Sequence, residues 1–462
     1  MKRSPVAIVC MLEMLACSGS TSPPHRLAEA PIGLSSSLPV PLPSVAGPVP
    51  TATVGGDPES TARVAAMLKR VSQRRGLAAT KTVPGITLER VALLARLRAH
   101  VDKEVPKQAI LDEGAMDSLL GLVPQKFDYE NAMYSLLEAQ LAGYYEPEGG
   151  VMLLAADLDG LMAEGTLAHE LTHALQDQHY DLKGLMKYQS GHSDATLALQ
   201  CLAEGDATSA MFDVMAPGVI LSLPDEMFVR QVKDAMDEGP GADAPRAMKE
   251  GLAAPYVDGV VFVHGLRRAG GWPAVDAAWQ NRPQTTEQIL HADKFASREP
   301  ALAVDAPPTA SLGAEFTTAD ADTYGELPLR IMYGEWMTDT DAADAAGHWG
   351  GDRAVLARRP DEVAFAWRVR YDPSPAGVYA EHAFTVVSAA MVRKLGPAKI
   401  RDATRVCFER PGHAALSLSL SGSDLLFTAG PALSADMTPR GDCALAKRWS
   451  QDVFGVPKTH TK

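Results

Sequence analysis

TLAHELTHALQDQHYD, residues 166–181, is the stretch from which the rest of the chain is read. Leu167, Leu171, Ala174 and Leu175 recur at three- and four-residue spacing, the mark of a helix with one face on a core. On such a helix His169 and His173 fall one turn apart on the same side, within roughly 40° of each other. Two imidazoles in that register can grip one metal ion. Glu170, about 100° further round, lies beside the ion, where its carboxylate can take a proton from a water that the metal has acidified. His-Glu-x-x-His at 169–173 thus has the logic of a zinc hydrolase. Chance alone produces the pattern in roughly one or two chains per hundred of this length and composition, so the neighbouring sequence has to support it.

A catalytic zinc takes three protein ligands and one water. Two residues compete for the third place. His179 lies six residues beyond His173, a rotation of roughly 600° on an unbroken helix, which leaves it about 120° off the ligand line. Where a His at that spacing does bind, a glycine breaks the helix first, and here that position is Gln176. The other candidate is Glu204 in DATLALQCLAEGDATSAMFDVM, residues 194–215, whose apolar positions also recur at helical spacing. Gly205 follows it directly. A glycine inside a helix costs about 1 kcal/mol relative to Ala and is kept where another backbone comes close. The expected neighbour is the 166–181 helix, which would bring Glu204 onto the metal.

With HExxH at 169–173 and a Glu on a second helix thirty intervening residues later, the chain resembles the gluzincin class of zinc metallopeptidases, here of a poorly characterised exported bacterial lipoprotein group. The resemblance covers roughly residues 140–215. It implies Zn2+ held by His169, His173 and Glu204, Glu170 as general base, and a peptide or protein as substrate, cleaved by water that zinc and Glu170 activate together. Many gluzincins place an Asp four residues after the ligand Glu to steady a ligating His. Thr208 stands at that place and Asp206 two residues after Glu204, either of which can take the part. A peptidase of this kind also needs a donor for the oxyanion of its intermediate, usually Tyr or His. Tyr256, His264 and His291 are the candidates, His291 closing a TTEQILH segment (285–291) similar to one that ends the catalytic domain in exported HExxH proteins. The alternative function is a zinc-binding surface module, weakly active or inactive, acting as a scaffold.

Upstream, STARVAAMLKRVSQRR, LERVALLARLRAHVDKEV, KQAILDEGAMDSLLGLV and FDYENAMYSLLEAQLAGYY read as helices that pack or cover the site. Tyr144 and Tyr145, a Pro-Glu-Gly-Gly turn, and Val151–Leu154 read as a hairpin, of which a strand running alongside the zinc helix either pairs with an extended peptide or is structural. Downstream, a helix from Tyr256 ends near Gly270-Gly271, a second starts at Trp272-Pro273, and a third is capped by Thr285 or Thr286. Residues 295–325 read as a linker. Beyond it, LPLRIMYGEWM and GVYAEHAFTVVSAAMVRKLG read as helices, and RAVLARR, EVAFAWRVRYD, TRVCFER, ALSLSLSG and DLLFTA as strands, with GHWGGDR as a glycine-rich connection. The expected fold class is α+β: a mainly helical zincin-like domain with a short hairpin (59–294), then a small domain with an antiparallel sheet (326–462).

The formal charge of −14 and the lack of a long basic run argue against nucleic acid or an anionic membrane surface as partner. Lys2 and Arg3 ahead of PVAIVCMLEML and Cys17 read as a lipoprotein-type signal peptide (1–16), and the Pro/Ser-rich residues 17–58 as a disordered tether. The expectation is an exported protein held in the bacterial cell envelope through lipid on Cys17. Cys407 and Cys443 are a disulfide pair or two buried thiols.

Overall fold

The computed structural model describes residues 56–187, 189–238 and 241–455. The expected signal peptide, Cys17 and nearly all of the tether lie outside them. The described chain opens with α1 (Pro58–Arg75), β1 (Gly85–Leu88), α2 (Arg90–Glu104), α3 (Lys107–Leu120) and α4 (Tyr129–Gln140). A hairpin of β2 (Gly143–Glu146) and β3 (Val151–Ala155) leads into the motif helix α5 (Gly160–Tyr180). One helical turn, α6 (Leu182–Leu185), precedes α7 (Ser193–Met215), α8 (Asp225–Glu238), the long α9 (Arg246–Gln280) and the short α10 (Thr286–Leu290) and α11 (Ala292–Ser297). The C-terminal part contains β4 (Thr317–Asp322), α12 (Glu326–Gly334), α13 (Asp339–Ala346), β5 (Trp349–Arg359), β6 (Glu362–Tyr371) and α14 (Val378–Leu395). It finishes with β7 (Ile400–Arg401), β8 (Arg405–Phe408), β9 (Leu416–Ser421), β10 (Asp424–Leu433) and α15 (Cys443–Phe454). The fold is α+β, helical in its first part, with an antiparallel seven-stranded sheet ordered β4-β5-β6-β10-β9-β8-β7 in its second.

Strand alternation builds the sheet's two faces. Val363, Phe365 and Trp367 of β6 and Leu425 and Phe427 of β10 point into one core with α14, while Ala364, Ala366 and Leu426 meet Trp449 and Val453 of α15 on the other. Cys407 of β8 and Cys443 at the start of α15 form a disulfide. Cys201 is buried in α7.

The expected hairpin is present. β3 is the middle strand of a three-stranded sheet ordered β1-β3-β2, parallel to β1 and antiparallel to β2. All five of its residues are buried, and it has no edge to offer a peptide. The short Gly-Ile-Thr-Leu strand β1, which periodicity does not single out, takes that edge. The edge beside the motif helix belongs to β2.

Gly205 is kept for close approach, but its neighbour is α9, not α5. A Cβ on Gly205 would lie 2.1 Å from the carbonyl oxygen of Gly259, and a Cβ on Gly259 would lie 2.1 Å from that of Cys201. Two glycines therefore let α7 and α9 cross backbone to backbone. A glycine announces that some backbone is near without saying which. Further along, α9 loses helical geometry at Gly270 and Gly271, where the sequence places the break, and Thr285 caps α10 by accepting from the Gln288 amide.

The stretch 295–325 is not wholly a linker. Thr317–Asp322 pairs with β5 as the sheet's edge strand, its Thr/Asp composition hiding it among loop residues. Asp322 accepts hydrogen bonds from the Ser193 amide and hydroxyl at the start of α7, and Asp194 accepts from the amide and hydroxyl of Thr286 at α10. Met116, Leu119 and Leu120 of α3 enter the sheet's own core. The two parts thus share apolar packing and buried hydrogen bonds. Nor is GHWGGDR a connection only: Trp349–Gly351 belongs to β5, where a Cβ on Gly351 would meet the carbonyl oxygen of Leu302 at 2.2 Å.

Gly205→Ala is expected to destabilise the protein by at least the upper end of the about 1–3 kcal/mol typical of overpacking, because both sides of the contact are backbone. Gly251→Ala on α9, where a Cβ meets nothing within 4 Å, is expected to leave the denaturation midpoint unchanged or raised. Equal midpoints for the two variants would refute the crossing.

Candidate metal centre

α5 is buried on all sides over its central turns. Leu167, Leu171, Ala174 and Leu175 pack with Val64, Met67 and Val71 of α1 and with Met152 and Leu154 of β3. His169, Glu170 and His173 look inward as well, and with Glu204 all four residues are no more than 4% exposed. Glu204 reaches them from α7, which the glycine crossing holds against α9.

Nε2 of His169 lies 3.0 Å from Oε2 of Glu204 and 3.0 Å from Nε2 of His173, and His173 Nε2 lies 3.5 Å from the same carboxylate oxygen. Three metal-binding atoms therefore form a small triangle. Zinc bonds of 2.0–2.1 Å at tetrahedral angles require ligand atoms roughly 3.3–3.4 Å apart. The triangle fits a tetrahedral ion, and two imidazoles with one carboxylate are a donor set that zinc accepts. Burial lowers the pKa of His169. On His173 burial acts in the same direction, but the negative charge of Glu204 outweighs it and raises the pKa to about 9. Burial would raise the pKa of Glu204, and the two imidazoles instead bring it down to about 2. A carboxylate held ionised between two imidazoles attracts a cation.

The surrounding groups fix which ring nitrogen faces the triangle. The side-chain amide of Gln176 donates to the Ala203 carbonyl at 2.9 Å and to Asp206 at 3.2 Å, which orients its oxygen toward His173. That oxygen lies 2.8 Å from His173 Nδ1, so Nδ1 carries a proton in either protonation state, and it is Nε2 that would give up its proton to present a lone pair to a metal. Thr208 approaches His169 Nδ1 at the longer distance of 3.5 Å. Both residues weighed for the steadying part are thus used: Thr208 directly on His169, Asp206 through Gln176 on His173. Asp206 is itself held by a buried bidentate Arg75 at 2.5 and 3.1 Å and by the Trp279 indole at 2.8 Å. Arg75, at the end of an otherwise ordinary amphipathic helix, has no local pattern that points to this position.

The remaining candidates are dispersed. Tyr256 stands with its ring 6.1 Å from that of His169. His291 is bound by the Glu326 carboxylate at 2.9 and 3.0 Å, and His264 by Asp225 at 3.1 Å; no hydrogen bond or ring contact found for either joins it to the triangle. The expectation for His291 therefore lacks a contact to rest on, because the Thr-Glu-Gln-Ile-Leu-His segment is spent elsewhere: Thr286 bonds Asp194 at the start of α7, and His291 bonds α12. His179 points away, 2.7 Å from the Ala78 carbonyl. Glu170 accepts a hydrogen bond from the Tyr145 amide of β2 at 2.9 Å, which aims its carboxylate along that strand. Compared with family models, curated proteins and solved structures, the chain has no match in any of the three.

Gln176→Ala removes the hydrogen bond that sets the His173 tautomer while leaving all three donors in place. Zinc affinity, read by competition with a chromophoric chelator, is expected to fall about 10–100-fold. An unchanged affinity would mean that Gln176 only packs.

Proposed function

We propose that the chain is a zinc-dependent metallopeptidase. The observation that carries this reading is the triangle of His169, His173 and Glu204 at tetrahedral spacing with the Glu170 carboxylate on the next position of the same helix. When bound, zinc supplies Lewis-acid chemistry, polarising a carbonyl and acidifying water at its open position. Glu170 takes a proton from the attacking water as the carbon–oxygen bond forms, then delivers it to the amine that leaves when the carbon–nitrogen bond breaks. The Tyr145 amide holds one oxygen of that carboxylate in place, and Tyr256, whose ring is 6.1 Å from that of His169, is our candidate donor to an oxyanion. Apolar walls of α1, α5 and the β2–β3 hairpin exclude bulk water. The substrate is a peptide or protein, and the same proposal places the protein in the bacterial cell envelope, attached through lipid on Cys17.

A second reading has one observation in its favour. The four site residues are no more than 4% exposed, which suits a zinc-holding scaffold module as well as an enzyme that opens to admit substrate. Zinc content and hydrolysis separate the two. Purified residues 59–462 are expected to hold about one zinc per chain, lost or much weakened in Glu204→Ala. Glu170→Gln is expected to keep the zinc and lose about 10²–10⁴-fold in the rate of peptide cleavage. Zinc at full occupancy with no cleavage of any peptide in a mixed library selects the scaffold; no zinc after loading overturns both.

A further inference from the structure

Away from the metal-binding candidates, α3, α4, α9 and α12 line a partly open cavity of about 130 Å³. It borders α7 and α9 but contains none of the metal-binding triangle. Its wall is mostly apolar, with Leu136, Leu137, Leu197, Leu252, Ile331 and Met332 among the lining residues. Two carboxyl groups interrupt it. Glu113 and Asp117 are one turn apart on α3, hence on one face, and both line the cavity. No Lys, Arg or His lines it.

Other buried carboxylates of the protein are matched either by cations, as Asp206 by Arg75, Asp213 by Arg267 and Asp424 by Arg368 and Arg370, or by several amide and hydroxyl donors, as Asp194, Asp322 and Asp352. The cluster of Glu287, Glu299 and Asp372 is filled by the ammonium of Lys294, 3.3 Å from Glu287 and 2.7 Å from Asp372. Glu113 is 6% exposed, and its Oε2 is buried with no hydrogen-bond partner. The Tyr129 hydroxyl is the one hydrogen bond that steadies this carboxyl. Burial, with the charge of Asp117 added, raises the Glu113 pKa well above the ordinary carboxylate range, and burial with the charge of Glu335 raises that of Asp117 to about 7. A buried polar oxygen left unmatched costs about 1–3 kcal/mol, which a bound donor recovers.

We infer that this cavity is a binding site for a small organic ammonium ion with an apolar body of about six carbons. The ammonium lies between Glu113 and Asp117, as Lys294 lies among its three carboxylates, and the alkyl body lies along the leucines. Size bounds the body: a closed cavity of ~150 Å³ in another protein takes benzene, six heavy atoms, and a chain one atom longer can extend to the open side of this one. A divalent metal is disfavoured: Ca2+ and Mg2+ want six or more oxygens, and among the described residues no third His, Cys, Asp or Glu joins these two carboxyl groups at metal-binding distance. Anions meet charge of their own sign.

The test is calorimetric titration of n-hexylammonium into the zinc-loaded protein at pH 8, with 1-hexanol and hexanoate as controls of equal length. Saturable one-to-one binding of the ammonium is expected, at least tenfold tighter than hexanol, with no binding of hexanoate. The Glu113→Gln, Asp117→Asn double variant is expected to lose at least tenfold of the ammonium affinity and leave hexanol unaffected. Gly251→Leu keeps both carboxyl groups but puts a side chain on a lining position where only a Cα stands, and is expected to abolish binding of ammonium and hexanol alike. Circular dichroism and zinc content report that each variant is folded. Equal binding of hexanol and hexylammonium, no saturable binding to the wild type, or full binding to the folded Gly251→Leu protein would overturn the inference.

Discussion

The carboxylate of Asp206 is wholly out of water, and the architecture around the metal centre follows from matching it. A charge in that position has to be met by donors within the protein. Three helices bring them, α1 the Arg75 guanidinium, α5 the Gln176 amide and α9 the Trp279 indole, while a fourth, α7, carries the carboxylate itself. Arg75 is in turn held by Asp276 and covered by the ring of Trp272. Removing one partner of such a buried pair costs about 3–5 kcal/mol, because the other charge is left behind. Asp206 lies two residues from Glu204 and, through Gln176, two hydrogen bonds from His173, so the interaction that fastens the helices together also orients the candidate ligands.

Close approach does the remaining positioning. Gly205 and Gly259 bring α7 and α9 into backbone contact one residue after Glu204, leaving that side chain little freedom in direction. On the opposite side, the hairpin strand β2 presents the Tyr145 amide to Glu170. The metal-binding atoms and the carboxylate beside them are therefore fixed by backbone on two sides and by a charged hub on a third. The four residues are no more than 4% exposed and are held in a single arrangement.

Much of this was legible in the sequence because it is periodic. The spacing of His169 and His173, the apolar stripe of Leu167, Leu171 and Leu175, and the strands with alternating apolar residues in the C-terminal part all carry their geometry in local order. Glu204 was legible by elimination, since His179 falls on the wrong side of an unbroken helix. What was not legible is the part that depends on distant partners. Arg75 and Asp206 are 131 residues apart, and an arginine in the last turn of a helix reads as a favourable charge at its C-terminal end. Thr317–Asp322 has the composition of a loop, and only its pairing with β5 makes it a strand. Gly205 advertised a close neighbour without naming it, and His291 looked like chemistry because the cap and ion pair that occupy its segment are tertiary.

The central claim is that His169, His173 and Glu204 form one metal-binding triangle of tetrahedral size. Crystals of the zinc-loaded protein, measured on both sides of the zinc absorption edge, test it most directly. The account predicts one strong anomalous peak, about 2.0–2.2 Å from Nε2 of both histidines and from a carboxylate oxygen of Glu204. A peak elsewhere in the molecule, or none at that triangle after zinc loading, would contradict it.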